Sequence, residues 1–139
     1  MDYFTGDELT RGRWESPPSA VRESLLSLVD AVLNPWRELV GPLRISSGWR
    51  TEEENARIPG SAKGSQHVTG EAVDVVPLAC DLNRAFTLLF GLPFDQAILY
   101  PSDGHIHVSH RGSLPEGRKN RGQLLRARRH DGKVTYERI

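Results

Sequence analysis

The chain has 139 residues, of which 18 are basic and 18 acidic, with a hydrophobic fraction of 37% and a charged fraction of 26%. This length and composition are typical of one globular domain and exclude a disordered chain or a membrane protein. The formal net charge of zero provides no overall field that would attract nucleic acid or an anionic membrane. The single cysteine excludes an intramolecular disulfide and a cysteine zinc cluster.

The N-terminus lacks a basic start followed by an apolar run, and no segment approaches the roughly 20 apolar residues of a membrane span. We therefore predict no signal peptide and no membrane span, and expect a soluble protein that is made in the cytoplasm. Any export would need help from elsewhere.

The first long helix is predicted from a stripe of apolar residues. Between Val21 and Leu39 they recur at three- to four-residue steps or their multiples, which predicts a helix beginning at Ser19. Pro35 lacks an amide hydrogen and crowds the preceding turn, so we expect it to kink this helix or split it in two. Gly41 and the proline that follows it end the helix.

A short strand and a short helix are predicted next. The segment Leu43–Ser47 is a strand candidate. Thr51 and Glu54 have the spacing of a capping box, in which each side chain bonds the backbone amide of the other residue. A short helix should therefore follow and end near Ile58, and residues 59–64 are predicted to form a loop.

The second half of the chain is predicted to be mainly strand. Asp131 and Gly132 are a strong hairpin signal, and the cluster of turn residues at 101–104 separates two further strands. The predicted strands are residues 72–76, 97–100, 105–109, 123–128 and 133–138, with one helix from a cap at Asp81 to Gly91. Because helices come early and strands late, we expect a single α+β domain over residues 1–139, with a mainly antiparallel sheet packed against helices.

The segment 65–74 reads SQHVTGEAVD and places His67 seven residues before Asp74. Gly70 and the apolar run after it predict a loop that leads into a strand, so that His67 comes from the loop and Asp74 from the strand. A carboxylate in an otherwise apolar strand needs a partner or a metal. Asp74 is therefore either a metal ligand or a buried carboxylate bonded to the backbone or to an arginine.

The segment 104–110 reads GHIHVSH and holds two alternate histidines. On a strand the side chains of His105 and His107 share one face, while Ile106 and Val108 point to the other face, into the core. Two imidazoles and a carboxylate are the minimum protein ligands of a catalytic divalent-metal site with an open position. These residues therefore favour a metal-dependent hydrolase.

The same motifs resemble a known family. SQHVTGEAVD matches the SxHxxGxAxD signature of zinc D-Ala-D-Ala carboxypeptidases and related peptidoglycan peptidases, a group that also includes lysostaphin-type peptidases and the hedgehog signalling domain. HIHVS resembles their second metal motif, HxH on a strand, and ISSGWRTEEEN resembles their SGYRS-type segment. The similarity covers most of the chain, from LTRGRW to the terminal hairpin, and implies the fold of this group.

The resemblance implies a metal-ligand set. His67 and Asp74 match the first two zinc ligands, and His107, the second histidine of HxH, matches the third. The fourth position would be left for water, whose pKa the metal lowers toward neutrality. The implied cofactor is therefore Zn²⁺.

The resemblance also implies two residues that act on the substrate. Arg50 matches the arginine that holds substrate carboxylate or carbonyl groups, a role suited to the planar fork of its guanidinium. The alternative for Arg50 is an ion pair with Glu53 or Glu54. Ser65 matches a substrate-binding or ligand-orienting serine.

The general base is the main departure from the family pattern. Many members place an acidic residue three positions before the last histidine, where this chain has Gly104. Asp103 would share a face with His105 and His107 if the strand began early; if Asp103 stays in the turn, His105 must serve. We expect His105 in the catalytic shell, with Asp103 as the second candidate for the base.

The resemblance implies a zinc peptidase that hydrolyses amide bonds of peptidoglycan stem peptides, as a carboxypeptidase or an endopeptidase. Small chains of this type resemble phage lysis or virion-associated proteins. One alternative is a zinc-binding structural or cell-wall-binding module with weak catalysis. The other is a non-haem iron oxygenase, which uses the same ligand types but whose usual HxD pair is missing here.

Overall fold

The computed structural model describes residues 3–61, 64–111 and 119–139. The α-helices in these ranges are α1 (Gly6–Thr10), α2 (Ser19–Leu28), α3 (Asn34–Val40), α4 (Glu52–Ala56), α5 (Gln66–Thr69) and α6 (Leu82–Thr87). The strands are β1 (Leu43–Ser47), β2 (Ala72–Pro77), β3 (Gln96–Tyr100), β4 (His105–Ser109), β5 (Gln123–His130) and β6 (Lys133–Arg138). The predicted α+β class is confirmed. Across the described ranges, no helix combines the length and apolar character that a membrane crossing requires.

The six strands form one sheet in the order β1-β2-β4-β3-β5-β6. Strands β3 and β5 are parallel, and the other neighbouring pairs are antiparallel. The predicted, mainly antiparallel sheet is therefore confirmed. Strands β2 and β4 lie next to each other inside the sheet, so residues on them have neighbours on both sides.

The hydrophobic core lies on one face of the sheet. Alternate residues of the two inner strands point into it and are fully buried, namely Val73, Val75, Ile106 and Val108. They belong to one cluster with the apolar stripe of the first long helix, which includes Leu25, Leu28 and Trp36. Burial of each such side chain contributes roughly 1.5–3 kcal/mol relative to exposure. Because side chains alternate along a strand, the residues between them point to the opposite face of the sheet.

The long helix begins at Ser19, as predicted, but its irregular turn lies before Pro35 and not at the proline itself. Residues Val29–Leu33 form a π-helical turn, in which the amide of Asn34 donates to the carbonyl of Val29. Pro35 then occupies the first turn of α3, where a missing amide hydrogen costs little. The wider turn accommodates the proline, so the chain stays helical through the position where we expected a kink.

Two capping boxes start short helices. In α4 the side chains of Thr51 and Glu54 bond each other's backbone amides, as predicted, although the helix ends at Ala56 rather than near Ile58. Helix α1 was not predicted, yet Thr5 and Glu8 form the same reciprocal cap there. Its signal was present in the sequence, because threonine and glutamate three residues apart mark a helix start.

The remaining predicted elements are present with shifted ends. Asp81 caps α6, but the helix ends at Thr87 instead of reaching Gly91. The predicted terminal hairpin is confirmed, and β5 extends to His130. Asp131 and Gly132 have φ angles of 49° and 77°, which suits a two-residue turn with two left-handed positions.

Candidate metal centre

Strand pairing brings two of the predicted ligands together. Asp74 on β2 lies directly opposite His107 on β4, and Asp74 Oδ1 is 3.1 Å from His107 Nδ1. Helix α5 precedes β2 and brings His67, whose Nε2 is 3.4 Å from the same oxygen. Donor atoms of the three residues all lie within 4.8 Å of one another. We call His67, Asp74 and His107 the metal group.

A one-turn helix, and not the predicted loop, carries His67. Ser65 caps α5, since its Oγ accepts the backbone N–H of His67 at 3.2 Å. Gly70 ends the helix with φ 78°, and a Cβ atom there would lie 2.5 Å from the carbonyl oxygen of Val21. Glycine at this position therefore allows both the left-handed turn and the close packing of α5 against α2.

The ring of His67 is oriented by a hydrogen bond on its far side. Its Nδ1 lies 2.9 Å from the carbonyl oxygen of Gly48. A carbonyl only accepts, so Nδ1 carries the hydrogen and Nε2 of the neutral ring keeps its lone pair toward Asp74. Two acceptors then face each other, an arrangement that a cation between them makes favourable. The residues present thus fit a bound metal ion.

The electrostatics of the metal group also suit a metal. Burial alone would raise the pKa of Asp74, but its interactions with His107 and His67 outweigh burial and hold that pKa well below its usual range. Burial lowers the pKa of His107, although the neighbouring carboxylate opposes the change. An ionised carboxylate and a neutral imidazole are the forms that bind a divalent metal. The side chains of Asp74 and His107 each keep 13% exposure, which leaves an approach for a further ligand.

Arg50 lies beside the metal group. Its Nη2 is 3.6 Å from Asp74 Oδ2, and its backbone N–H donates to the carbonyl of His67 at 3.2 Å. The guanidinium donates to Ser47 Oγ through Nε and Nη2, and to Asn55 Oδ1 through Nη1. Two neutral partners therefore orient a charged fork next to the aspartate of the site.

In the described part of the chain, Arg50 forms no ion pair with Glu53 or Glu54, the partners expected if its role were structural. Glu54 instead accepts from Arg13 at 2.8 Å and closes the cap of α4. Arg50 is therefore held by Ser47 and Asn55 beside Asp74, and the described ion pairs do not join it to Glu53 or Glu54.

The two candidates for the base lie in different surroundings. His105 is on β4, two residues before His107 and on the same face, and its ring stacks on Tyr100 with centroids 4.5 Å apart. Asp103 lies in the turn before β4, where its carboxylate accepts two hydrogen bonds from Arg129, at 3.2 and 2.7 Å. The contacts of Asp103 are thus with the terminal hairpin, while His105 stays on the face of the metal group.

Three supporting residues were not singled out from the sequence. Gly48 orients His67, and Ser47 and Asn55 orient Arg50. Ser47 and Gly48 stand in SGWRT, the part of the quoted segment that aligns with SGYRS, so that resemblance was an available signal. Asn55 ends the longer quoted segment but lies outside its SGWRT part, and its role depends on how the cap of α4 turns the helix back toward Arg50.

A family model matches more than half of the chain. The model of the family described as Peptidase M15 matches residues 2–109, a range that includes the metal group and Arg50. No curated protein matches the chain.

Proposed function

Since the chain belongs to the Peptidase M15 family, we propose that it is a zinc-dependent peptidase that hydrolyses amide bonds in peptidoglycan stem peptides. The family implies a metallopeptidase. The observation that carries the proposal is the convergence of His67, Asp74 and His107 with a tethered arginine beside them. Residues 1–139 would form one zinc peptidase domain.

The proposed cofactor is zinc. His67 Nε2, a carboxylate oxygen of Asp74 and His107 Nδ1 would hold it, and such a set of nitrogen and oxygen donors is of the kind that binds catalytic zinc. The zinc ion, when bound, supplies Lewis-acid activation of the attacking water and of the scissile carbonyl.

Arg50 is proposed to position the substrate. Its side chain is 17% exposed and is held by Ser47 and Asn55, so little further side-chain entropy is lost when a substrate binds. A fixed guanidinium beside the metal group can hold a carboxylate or carbonyl group of the peptide and align the scissile bond. Of the two roles expected for Ser65, its hydrogen bond to the His67 amide supports the ligand-orienting one.

His105 is proposed to move the proton. It shares the face of β4 with His107 and is held by stacking on Tyr100. As a base it would take a proton from the attacking water and then donate it to the nitrogen of the leaving amine. The ion pair with Arg129 makes Asp103 the weaker candidate for this step.

The proposed partner is the peptidoglycan of a cell wall, and the proposed setting is phage lysis or a virion-associated activity. The direct test is digestion of purified wall by the zinc-loaded protein, with and without a chelator, followed by mass spectrometry of the fragments. New amine and carboxyl ends that appear only without chelator support the proposal and identify the bond. An unchanged wall in both samples contradicts it.

One observation favours a second candidate, a zinc-binding structural or wall-binding module with weak catalysis. Gly104 occupies the position where many relatives carry an acid, and its φ of 78° disfavours any other residue there. Wall binding in a pull-down without fragment release would support this module. An iron oxygenase is separated from both by the metal content of protein purified without added metal.

A further inference from the structure

A cavity of about 230 Å³ opens beside the metal group. Ser47 and Arg50, which lie next to Asp74, form one of its walls. A peptide whose scissile bond lies at the metal group can therefore place a neighbouring residue in this cavity. The other lining residues come from the end of α1, from Trp49, and from α4 and the residues directly after it.

The cavity carries an excess of positive charge. Arg11 and Arg57 line it together with Arg50, against a single carboxylate, that of Glu54. A backbone hydrogen bond from Thr51, followed by the contact with Arg13, lowers the pKa of Glu54 to about 2, so this group is ionised at neutral pH. Glu54 lies 2.8 Å from Arg13, a residue outside the lining, and 4.0 Å from Arg11. The negative charge of Glu54 is therefore paired mainly with Arg13.

The two arginines across the cavity are open to a ligand. The side chain of Arg11 is 76% exposed. Arg57 is exposed as well, and among the described residues its guanidinium has no ion-pair partner. Arg11 also has a left-handed backbone, with φ 55°, at the C-cap of α1.

The apolar part of the cavity limits the kind of ligand. Trp49 and Ile58 contribute to its lining. One face of the Trp49 ring is covered by the Arg13 guanidinium, 4.8 Å from the ring centroid. An apolar wall next to exposed guanidinium groups suits a carboxylate flanked by methylene groups, because the methylene groups and the charge both find complementary surfaces.

We infer that this cavity binds a carboxylate on an acidic residue of the substrate beside the scissile bond, and that Arg11 and Arg57 recognise it. The inference rests on the proposed peptidase function and names a substrate feature for it. Arg50 remains available for the group at the metal, so the substrate would present two anionic or polar groups to two separate sets of guanidinium groups.

The test uses two pairs of synthetic stem peptides. In one pair the α-carboxyl of the γ-linked D-glutamate is free or amidated; in the other, the side-chain carboxyl of diaminopimelate is free or amidated. The zinc-loaded wild type should prefer the free acid in at least one pair by about 10-fold or more in kcat/KM, mainly through KM. The double variant Arg11→Gln/Arg57→Gln should lose that preference. Arg84→Gln on α6, a matched change at an exposed arginine outside the cavity, should keep it.

Equal treatment of acid and amide by the wild type in both pairs would overturn the inference, and so would an unchanged preference in the double variant. Both results leave the peptidase function standing. If no peptide is hydrolysed, the proposed function fails, and the same pairs are compared by calorimetric Kd on the zinc-loaded proteins. The free acid should then bind the wild type about 10-fold or more tightly than the amide does, and the double variant should bind both alike. Equal Kd values in the wild type would overturn the inference in this form as well.

Discussion

His67 Nδ1 lies 2.9 Å from the carbonyl oxygen of Gly48, and this contact directs His67 Nε2 toward Asp74. Gly48 in turn packs against the end of α1, where an added Cβ atom would overlap the carbonyl group of Leu9. The orientation of one predicted ligand thus depends on a glycine that is not itself a predicted ligand.

We therefore expect Gly48→Ala to weaken zinc binding. The methyl group would displace the segment that accepts from His67, which also lowers the free energy of unfolding by about 1–3 kcal/mol. Zinc affinity is measured by competition with a chelator and stability by urea unfolding. Gly60→Ala is the control, because it introduces left-handed strain with nothing within 4 Å of the new Cβ atom. Wild-type zinc affinity in Gly48→Ala would contradict the orienting role.

The zinc stoichiometry tests the ligand set directly. His67→Ala leaves two protein ligands, so elemental analysis should find zinc well below one ion per chain. His130→Ala is the matched control, since this histidine is exposed at the end of β5. Its zinc content should equal that of the wild type. Full occupancy in His67→Ala would show that His67 is not a ligand.

Arg50→Lys should reduce turnover while the protein keeps its fold. Lysine retains the charge but loses the planar fork that Ser47 and Asn55 orient. We expect kcat/KM on stem peptides to fall about 10- to 100-fold, with little change in Tm. A Tm that falls in step with activity would mean that Arg50 is structural.

The two candidates for the base should respond differently. His105→Ala should retain zinc and lose about 10²- to 10⁴-fold in kcat, the usual cost of removing a general acid–base. Asp103→Asn should leave kcat nearly unchanged, because the carboxylate of Asp103, in the turn before β4, pairs with Arg129. Arg129→Gln provides the matched control, since it breaks the same pair from the other side. Should both His105→Ala and Asp103→Asn hydrolyse wall at wild-type rates, Glu71 is the next residue to test.

Asp95 should make the free energy of unfolding depend on pH. This carboxylate is fully buried; burial alone would raise its pKa, but hydrogen bonds from Arg121 and Gln66 outweigh it and lower the pKa from 3.8 to about 2. The folded pKa of Asp95 lies below the unfolded value, so its ionised carboxylate adds about 2 kcal/mol to the free energy of unfolding above pH 4. This contribution is lost as the pH falls from about 3.8 toward 2.

Urea unfolding between pH 2 and pH 7 measures this contribution. Asp95→Asn should be less stable than the wild type at pH 7, and the difference should shrink below pH 4. Asp131→Asn serves as the control, because asparagine tolerates the left-handed turn position and the side chain is exposed. A difference that stays constant down to pH 2 would mean that the ionised carboxylate is not the stabilising group.

The sequence by itself determined the features that depend on neighbouring residues. Apolar periods predicted the long helix and the inner strands, Thr51 and Glu54 predicted a helix start, and Asp131 with the following glycine predicted the hairpin. These signals are readable because capping, turn conformation and side-chain alternation act over four residues or fewer. The ligand set came from the resemblance of two motifs to a family and not from their spacing alone.

Only the tertiary structure decided which residues that are distant in the sequence lie next to each other. The pairing of β2 with β4 places Asp74 opposite His107, and two hydrogen bonds join the carboxylate of Asp103 to Arg129 of the terminal hairpin. Strand register is fixed by burial of a whole face of the sheet, a cooperative effect of residues far apart in the chain. No local window contains that information, which is why the cavity beside Arg50 was not predicted.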